Sequence, residues 1–123
     1  MHISAEHYLE AILVLSRGSD CVRAVDVAAA LGYSKPSVSV ALKQLREKEH
    51  ITVEKNGAIV LTDSGRMLAE RIAERHEFLT AWLIGLGVAA DIADEDACKI
   101  EHVISDESFA AIKQSATLSS EDI

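Results

Sequence analysis

One stretch of the sequence places four side chains able to bind a metal on a single helical face. They follow one another at intervals of four, three and one residues and are Asp94, Cys98, Glu101 and His102. In a helix this spacing forms a continuous stripe, and imidazole, carboxylate and thiolate groups are ligands of divalent transition metals. No Cys-x-x-Cys or His-x-x-x-His spacing occurs, so a structural zinc site is not indicated. The stripe predicts another kind of metal site; the alternative is that Cys98 is a small core residue.

Three further candidate ligands lie upstream. His7 and Glu10 are three residues apart, the separation at which helical side chains project together, and His76 falls within a long helical pattern. A site assembled from separate helices would connect the N-terminal half of the chain to the C-terminal half. Each pair taken singly has a simpler interpretation, a solvated Glu-His pair on a helix surface.

The composition is that of a folded chain with a local basic region. Hydrophobic residues make up 49% and charged residues 26%, enough to bury a core. The net charge of −8 excludes a basic coat over the whole surface. Residues 32–55 nevertheless contain five Lys or Arg against three Asp or Glu, whereas residues 66–123 contain five against twelve. This division favours two lobes with different functions, with chance clustering as the alternative.

Cysteine usage and hydropathy indicate where the protein acts. Two cysteines, Cys21 and Cys98, are too few for a disulfide framework. No apolar run reaches the roughly 18 residues of a membrane span, and no signal peptide opens the chain. We therefore expect a cytoplasmic protein without a membrane partner, and we expect Cys21 to be a free thiol without a role.

The elements that position these residues follow from periodicity, caps and turns. Ser4 is a candidate cap for the first helix, Gly32 suits the end of the second, and Ser34 suits the start of the third. Asn56-Gly57 between apolar segments predicts a hairpin turn. The resulting order is helices over 4–17, 24–31 and 34–49, a hairpin over 51–61, and helices over 63–84, 90–104 and from 105 onward. Thr62 is the candidate cap of the helix over 63–84, and Ser105 is the candidate cap of the last helix.

Helix, helix, turn, helix and hairpin in this order predict a winged helix-turn-helix, in which one helix enters the major groove and the wing reaches the backbone. Small hydroxyl residues at the start of the third helix allow close approach to phosphates or base edges, and lysines supply phosphate contacts. The alternative is a set of ordinary solvated or capping residues, which for Ser34 alone is the favoured interpretation. The candidate DNA-binding residues are Ser34, Lys35, Pro36, Ser37, Ser39, Val40, Lys43, Lys55 and Asn56.

The sequence thus predicts a mainly α fold with two functional parts. Residues 1–65 form the winged helix-turn-helix DNA-binding domain with its two-stranded wing. Residues 66–114 form a helical domain for metal binding, to which the family resemblance described below adds dimerisation, and residues 115–123 form a polar, frayed tail.

Several strings of the sequence together resemble the diphtheria-toxin-repressor family of metal-dependent transcriptional regulators, which includes iron-dependent repressors and manganese transport regulators. The resemblance covers about residues 3–114. The strings are SAEHYLEAI at 4–12, SKPSVS at 34–39, LTDSG at 61–65, RHE at 75–77 and DACKIEHVIS at 96–105, the last being the most specific. The resemblance implies a homodimer that binds Fe(II) or Mn(II) and then operator DNA. It also implies no small organic substrate and, at this chain length, no SH3-like third domain.

The resemblance implies roles for the candidate ligands. His7 stands where iron-type members usually have Met and manganese-type members have Asp, so it departs from both. Glu10 matches a manganese-type ligand, whereas Cys98 matches the iron-type Cys. Ligand positions shared by both types are matched by His76, Glu101 and His102, and an ancillary position often held by His is matched, more weakly, by Asp94.

Two further features follow from the same resemblance. Thr80 stands where iron-type members have an ancillary Glu, so a second metal site is expected to be incomplete. The long fourth helix is expected to build the dimer interface through Phe78, Trp82 and Leu83, with intra-chain core packing as the alternative, weighed equally for Trp82.

Three imidazoles and a thiolate are softer than a carboxylate-rich ligand set, which favours Fe(II), Co(II) or Zn(II) over Mn(II). We expect Fe(II), with Mn(II) as the close alternative and Zn(II) or Co(II) binding in vitro. The predicted function is a metal-dependent regulator, a repressor of metal-ion uptake or homeostasis genes, and not an enzyme. The alternatives are a winged-helix regulator that senses no metal and, less favoured, a small metalloenzyme.

Overall fold

A computed structural model describes the backbone of residues 2–121 and the side chains of residues 5–116. Over this range the chain forms six helices and one antiparallel pair of strands, which confirms the mainly α fold class. The elements are α1 (His2–Gly18), α2 (Ala24–Leu31), α3 (Lys35–Glu47), β1 (Ile51–Val53), β2 (Ile59–Leu61), α4 (Asp63–Gly85), α5 (Ala90–Val103) and α6 (Asp106–Glu121). No helix in the described range combines the length and hydrophobicity needed to span a bilayer.

The chain divides into two compact units, the first ending at Arg71 and the second beginning at Ile72. This division falls within α4, six residues beyond the boundary that the sequence predicted at residue 65. The helix α4 is continuous across this division, and its start contacts the connection between α3 and β1, where Thr62 meets Glu49 and Gly65 meets His50.

In the N-terminal unit, α1, α2 and α3 pack against one another and against the strands. Burying a large aliphatic side chain contributes about 1.5–3 kcal/mol relative to leaving it exposed. The most deeply buried residues of this unit lie at helical or strand spacing and are Leu9, Ile12, Val27, Val38, Leu45 and Ile51. Because Val38 and Leu45 anchor one face of α3, its opposite face is left exposed.

The predicted caps set the helix ends. Gly32 has a φ of 71° and its N–H donates to the Ala28 carbonyl, which terminates α2. The Ser34 hydroxyl accepts from the N–H of Ser37 at 3.3 Å and begins α3. Thr62 accepts from the Gly65 N–H and Ser105 from the Ser108 N–H, so α4 and α6 begin as predicted.

The wing spans residues 51–61 as predicted, and its strands are short. Thr52 pairs with Val60 at the centre of three-residue strands, and the connecting loop runs from Glu54 to Ala58. The loop contains Asn56-Gly57, as predicted, but the Asn56 side-chain oxygen accepts a hydrogen bond from the Ala58 N–H at 3.0 Å. The Glu54 N–H donates to the Ala58 carbonyl oxygen at 2.9 Å, so three residues, 55–57, lie within the turn instead of two.

A tight junction joins the end of α3 to the start of α4. Glu49 adopts a left-handed conformation with a φ of 63°, which turns the chain into β1. The Glu49 carbonyl accepts bonds from the hydroxyls of Thr62 and Ser64 at 2.7 and 3.3 Å. Gly65 lies against the backbone of His50, where a Cβ would collide with the His50 carbonyl oxygen. This position therefore requires glycine for close approach.

Two predicted helix ends were wrong. The first helix begins at His2 rather than at Ser4, so Ser4 lies inside the helix and not at its cap. The last helix extends to Glu121, so residues 115–121 are helical rather than a frayed tail. Both helices extend because neither segment contains Gly or Pro to stop it. Residues 122 and 123 of the predicted tail lie outside the described residues.

Candidate metal centre

In the C-terminal unit the carboxylate of Glu101 sits between two imidazole rings. Its Oε2 lies 2.8 Å from Nδ1 of His76, and its Oε1 lies 3.3 Å from Nε2 of His102. His76 is on α4, whereas Glu101 and His102 are on α5. The sequence predicted the three residues separately, and the fold brings their nitrogen and oxygen atoms together.

The remaining residues of the predicted stripe lie beside this group. Oδ1 of Asp94 is 2.7 Å from Nε2 of His76, so both ring nitrogens of His76 face a carboxylate. Cys98 is half-buried, and its Sγ lies within 4.8 Å of a ring nitrogen of His102. All five candidate ligands from α4 and α5 are therefore neighbours within one compact unit.

Burial makes Glu101 the unusual member of the cluster. Its side chain is 0% exposed and that of His102 is 3% exposed, whereas Asp94 is 66% exposed. A carboxylate in the interior is tolerated when it is paired or coordinates a metal. Two imidazoles and a nearby thiol are groups that ligate divalent transition metals. The donor set therefore fits a divalent transition metal, with the buried carboxylate supplying a charge.

One residue at this site was not identified as functional from the sequence. Arg75 is 4% exposed and precedes His76, and its guanidinium donates to the main-chain carbonyl of Glu101 at 3.2 Å. The sequence signal was available, because Arg75 falls in the RHE string at 75–77. Nothing local showed that its side chain turns into the unit rather than into solvent.

Thr80 lies one turn after His76 on α4. Its hydroxyl oxygen is buried and has no hydrogen-bond partner within the described residues. The sequence led us to expect an incomplete second metal site at this position, and that expectation stays a prediction.

The other two candidate ligands belong to the N-terminal unit. His7 and Glu10 lie one turn apart on α1 and are half-buried. The ring of Tyr33 is 6.4 Å from that of His7 and 5.8 Å from that of Tyr8. Burial, and to a lesser degree the neighbouring Tyr33, raises the pKa of the Tyr8 hydroxyl. The predicted roles of His7 and Glu10 as ligands stay predictions.

The candidate DNA-binding residues occupy the exposed surface of α3 and of the wing. Val40 is 59% exposed, unusually high for an apolar side chain, and Lys43 lies on the same face. In the wing, Lys55 is exposed, whereas the Asn56 oxygen is engaged within the loop. The exposed residues at the start of α3 are Ser34, Lys35, Pro36, Ser37 and Ser39.

The predicted interface residues are half-buried within the chain. Phe78 packs edge-on against Phe109 with ring centroids 5.6 Å apart, so part of its surface belongs to the core of the C-terminal unit. Trp82 and Leu83 are also half-buried. Exposed apolar side chains that sequence analysis did not single out lie nearby in the chain, at Ile84 and Leu86.

These features define a class of protein: a winged helix-turn-helix unit followed by a helical unit with clustered metal-ligating side chains. Two family models match. The N-terminal DNA-binding domain of the iron-dependent repressors covers residues 2–59, and their metal-binding and dimerisation domain covers residues 62–117. The chain belongs to the iron-dependent repressor family, which confirms the family predicted from the sequence motifs.

Individual relatives agree with this assignment. The transcriptional regulator MntR of Escherichia coli O6:H1 is 37% identical over 108 residues, which are 88% of this chain and 70% of that protein. The HTH-type transcriptional regulator MntR of Geobacillus kaustophilus is 34% identical over 102 residues, which are 83% of this chain and 72% of that protein.

Solved structures share the fold. A manganese-dependent transcriptional repressor in complex with manganese matches with a TM-score of 0.83 and 31% identity, over 90% of this chain and 51% of that one. The metal-dependent transcriptional regulator MtsR matches with a TM-score of 0.86 and 24% identity, over 95% of this chain and 55% of that one. The chain thus spans about half the length of these solved structures.

Proposed function

We propose that this protein is a metal-dependent transcriptional repressor that binds a divalent transition metal and then operator DNA as a homodimer. The observation that carries the proposal is the fully buried Glu101, placed between His76 and His102 beside Cys98. A chain without a metal to bind has no evident use for a buried carboxylate among imidazoles, since hydrophobic replacement of such groups is often neutral or stabilising. The genes that it controls would serve metal-ion uptake or homeostasis, and the protein itself would act in the cytoplasm.

The proposed ligands come from both units. His76, Cys98, Glu101 and His102 form the C-terminal share, and Asp94 is a weaker candidate because its side chain is mostly exposed. From the N-terminal unit we propose His7 and Glu10, which match family ligand positions residue by residue. Support for these two comes from the sequence resemblance and from their one-turn spacing on α1.

The regulatory principle we propose is linkage between metal and DNA. A divalent cation supplies positive charge that offsets the mutual repulsion of the carboxylates of Asp94 and Glu101, which both contact His76. DNA affinity then rises because the binding-competent arrangement of the dimer becomes the dominant population. The coupling is reciprocal, so operator DNA tightens metal binding by the same factor by which metal tightens DNA binding. In typical systems this factor corresponds to a coupling free energy of about 1–3 kcal/mol. Equal metal affinity with and without operator DNA would refute this principle.

We propose Fe(II) as the sensed ion because Cys98 and His7 make the ligand set softer than one of carboxylates. Mn(II) is the second candidate, since relatives at 33–37% identity are named MntR. Cys98→Asp replaces the soft ligand by a hard one and should shift activation of DNA binding toward Mn(II). The measurement is the ratio of Fe(II) to Mn(II) activation under anaerobic conditions, and an unchanged ratio would contradict the argument.

For DNA contact we propose the exposed face of α3 and the wing. Lys43 and Lys55 would contact phosphates, which supply affinity more than sequence choice. Substituting either lysine by Met should weaken binding to all DNA sequences alike. It should also reduce the slope of log affinity against log salt concentration by about 1, the contribution of one phosphate contact. The matched control is Lys99→Met, since Lys99 lies on α5 and is paired with Glu95 at 3.8 Å.

The first experiment selects DNA from sheared genomic fragments with the purified protein, in parallel arms that contain Fe(II), Mn(II) or chelator. Enrichment of a palindromic site only with metal would support a metal-dependent regulator, and the stronger arm would identify the ion. Enrichment in every arm would support the alternative, a winged-helix regulator that senses no metal. No enrichment in any arm, with turnover of ester or peptide substrates by the metal-loaded protein, would favour the metalloenzyme alternative.

A further inference from the structure

The guanidinium of Arg75 joins α4 to the connection between α5 and α6. It donates to the carbonyl oxygens of Glu101 at 3.2 Å and Ile104 at 2.9 Å, and it forms an ion pair with Asp106, the first residue of α6. Its Cζ lies 5.2 Å from the centre of the Phe109 ring. The last carbonyls of a helix lack intrahelical partners. Arg75 therefore satisfies two carbonyls at the end of α5 and holds the start of α6 with the same group.

Arg75 and its neighbour His76 engage the same residue in two different ways. Arg75 binds the main-chain carbonyl of Glu101, and His76 contacts its carboxylate at 2.8 Å. The two bonds together fix both the position of the Glu101 backbone and the direction of its side chain. Since His102 follows Glu101 directly, the same anchor also holds the backbone that carries that ring.

The chemistry of this anchor requires arginine. A guanidinium is planar and presents five N–H donors in a rigid fork, whereas an ammonium is a single compact donor centre on a flexible stem. Three oxygen acceptors from Glu101, Ile104 and Asp106 surround the group in Arg75. Lysine at this position would keep the charge but lose the fixed geometry.

We propose that Arg75 is a positioning residue for the metal centre, which acts through the Glu101 main chain and the α5–α6 connection to set metal affinity and coordination geometry. The proposal rests on the proposed function, because it presumes that Glu101 and His102 are ligands. Groups that orient metal ligands without touching the metal change affinity by roughly 10–100-fold when they are removed. Arg75 is expected to act within that range.

The test compares Arg75→Lys and Arg75→Met with Lys113→Met in the full chain. Lys113 pairs with Glu74 and so also joins α6 to α4, and its Nζ lies 6.0 Å from the centre of the same Phe109 ring that Arg75 contacts. Its loss should lower thermal stability and leave the metal centre unchanged. Two quantities are measured for each variant: Mn(II) affinity by competition with a fluorescent chelator, and the ligand-field absorption spectrum of bound Co(II).

We expect Arg75→Met to weaken Mn(II) binding by roughly 10–100-fold and to alter the Co(II) spectrum, with Arg75→Lys in between. Lys113→Met should match the unsubstituted chain in both measurements. An unchanged affinity and an unchanged spectrum in Arg75→Lys and Arg75→Met would overturn the proposal, even if both variants melt at lower temperature. Absence of Mn(II) and Co(II) binding in the unsubstituted chain would instead refute the proposed function.

A milder variant guards against loss of folding in Arg75→Met. Asp106 is 70% exposed, so Asp106→Asn removes the carboxylate partner of Arg75 without opening the interior. Its matched control is Glu107→Gln, an exposed acidic residue in the same first turn of α6. We expect a smaller weakening of Mn(II) affinity in Asp106→Asn than in Arg75→Lys, and none in Glu107→Gln. Equal affinities in Asp106→Asn and Glu107→Gln, together with an unchanged Arg75→Lys, would overturn the proposal.

Discussion

Replacing Glu101 by Gln should abolish most of the stabilisation that metal gives to this protein while leaving a folded chain. The amide has nearly the same shape as the carboxylate, and its oxygen can still accept a hydrogen bond from a ring N–H of His76 at the 2.8 Å contact. Because the side chain is fully buried, water cannot replace the stronger hydrogen bond that the charged carboxylate makes with His76. We expect the metal-free variant to be destabilised by about 1–3 kcal/mol, the range for a weakened buried hydrogen bond to a charged group.

The metal response gives the larger contrast. A metal held at 100 times its Kd stabilises the folded chain by about 2.7 kcal/mol, which raises the Tm of a chain of this size by about 10 °C. Removing an anionic ligand should raise the Kd for the metal by about 100-fold, the upper end of the range for removing a group that only orients a metal ligand. The same metal concentration then contributes about 0.4 kcal/mol, a Tm rise of about 1–2 °C.

The assay is thermal unfolding followed by circular dichroism, with and without Mn(II), under conditions that keep Cys98 reduced. Glu95→Gln is the matched control, because Glu95 lies on the same helix α5 but its side chain is 71% exposed. Glu95→Gln should keep the full rise in Tm. A full metal-induced rise in Glu101→Gln as well would refute the argument that the buried carboxylate is a ligand.

Three further predictions concern the N-terminal unit. Glu49→Gly should raise the free energy of unfolding by about 1 kcal/mol, since glycine adopts the left-handed φ of 63° without strain. The adjacent control Lys48→Gly, at a φ of −83°, should give no gain in stability. Equal urea midpoints for the two variants would contradict this prediction. Gly65→Ala should lower the free energy of unfolding by about 1–3 kcal/mol, because its Cβ would meet the His50 carbonyl; an unchanged urea midpoint would show that the backbone adjusts freely. Ser34→Ala should cost about 1 kcal/mol through loss of the α3 cap, with Ser34→Gly costing only a few tenths, and the reverse order in urea unfolding would argue against a capping role.

Much of the fold could be predicted because the signals that specify it are local. Gly32, Ser34, Thr62 and Ser105 end or begin helices through bonds to residues three or four positions away, so their roles follow from short strings. The hairpin was predicted for the same reason, although its turn is wider because Glu54 pairs with Ala58 across three loop residues. Helix ends without such a signal, as at Ser4 and beyond residue 114, were placed wrongly.

Metal-ligating residue types could likewise be found by spacing. Periodicity put Asp94, Cys98, Glu101 and His102 on one face of α5, since side chains at intervals of three and four residues are neighbours on any helix. Spacing within one helix says nothing about which other helix that face meets. That His76 contacts both Asp94 and Glu101 became visible only in the folded C-terminal unit.

The sequence by itself determined the order of the elements, four of the helix caps and the family, because each depends on residues close together in the chain. Only the tertiary structure decided that Glu101 is fully buried and that Arg75 turns inward to hold its carbonyl. It also decided that Gly65 must lie against His50 and that Glu49 must adopt a left-handed turn. Burial and the pairing of distant groups depend on how all elements pack at once, and no local pattern encodes the partner that a side chain meets across the core.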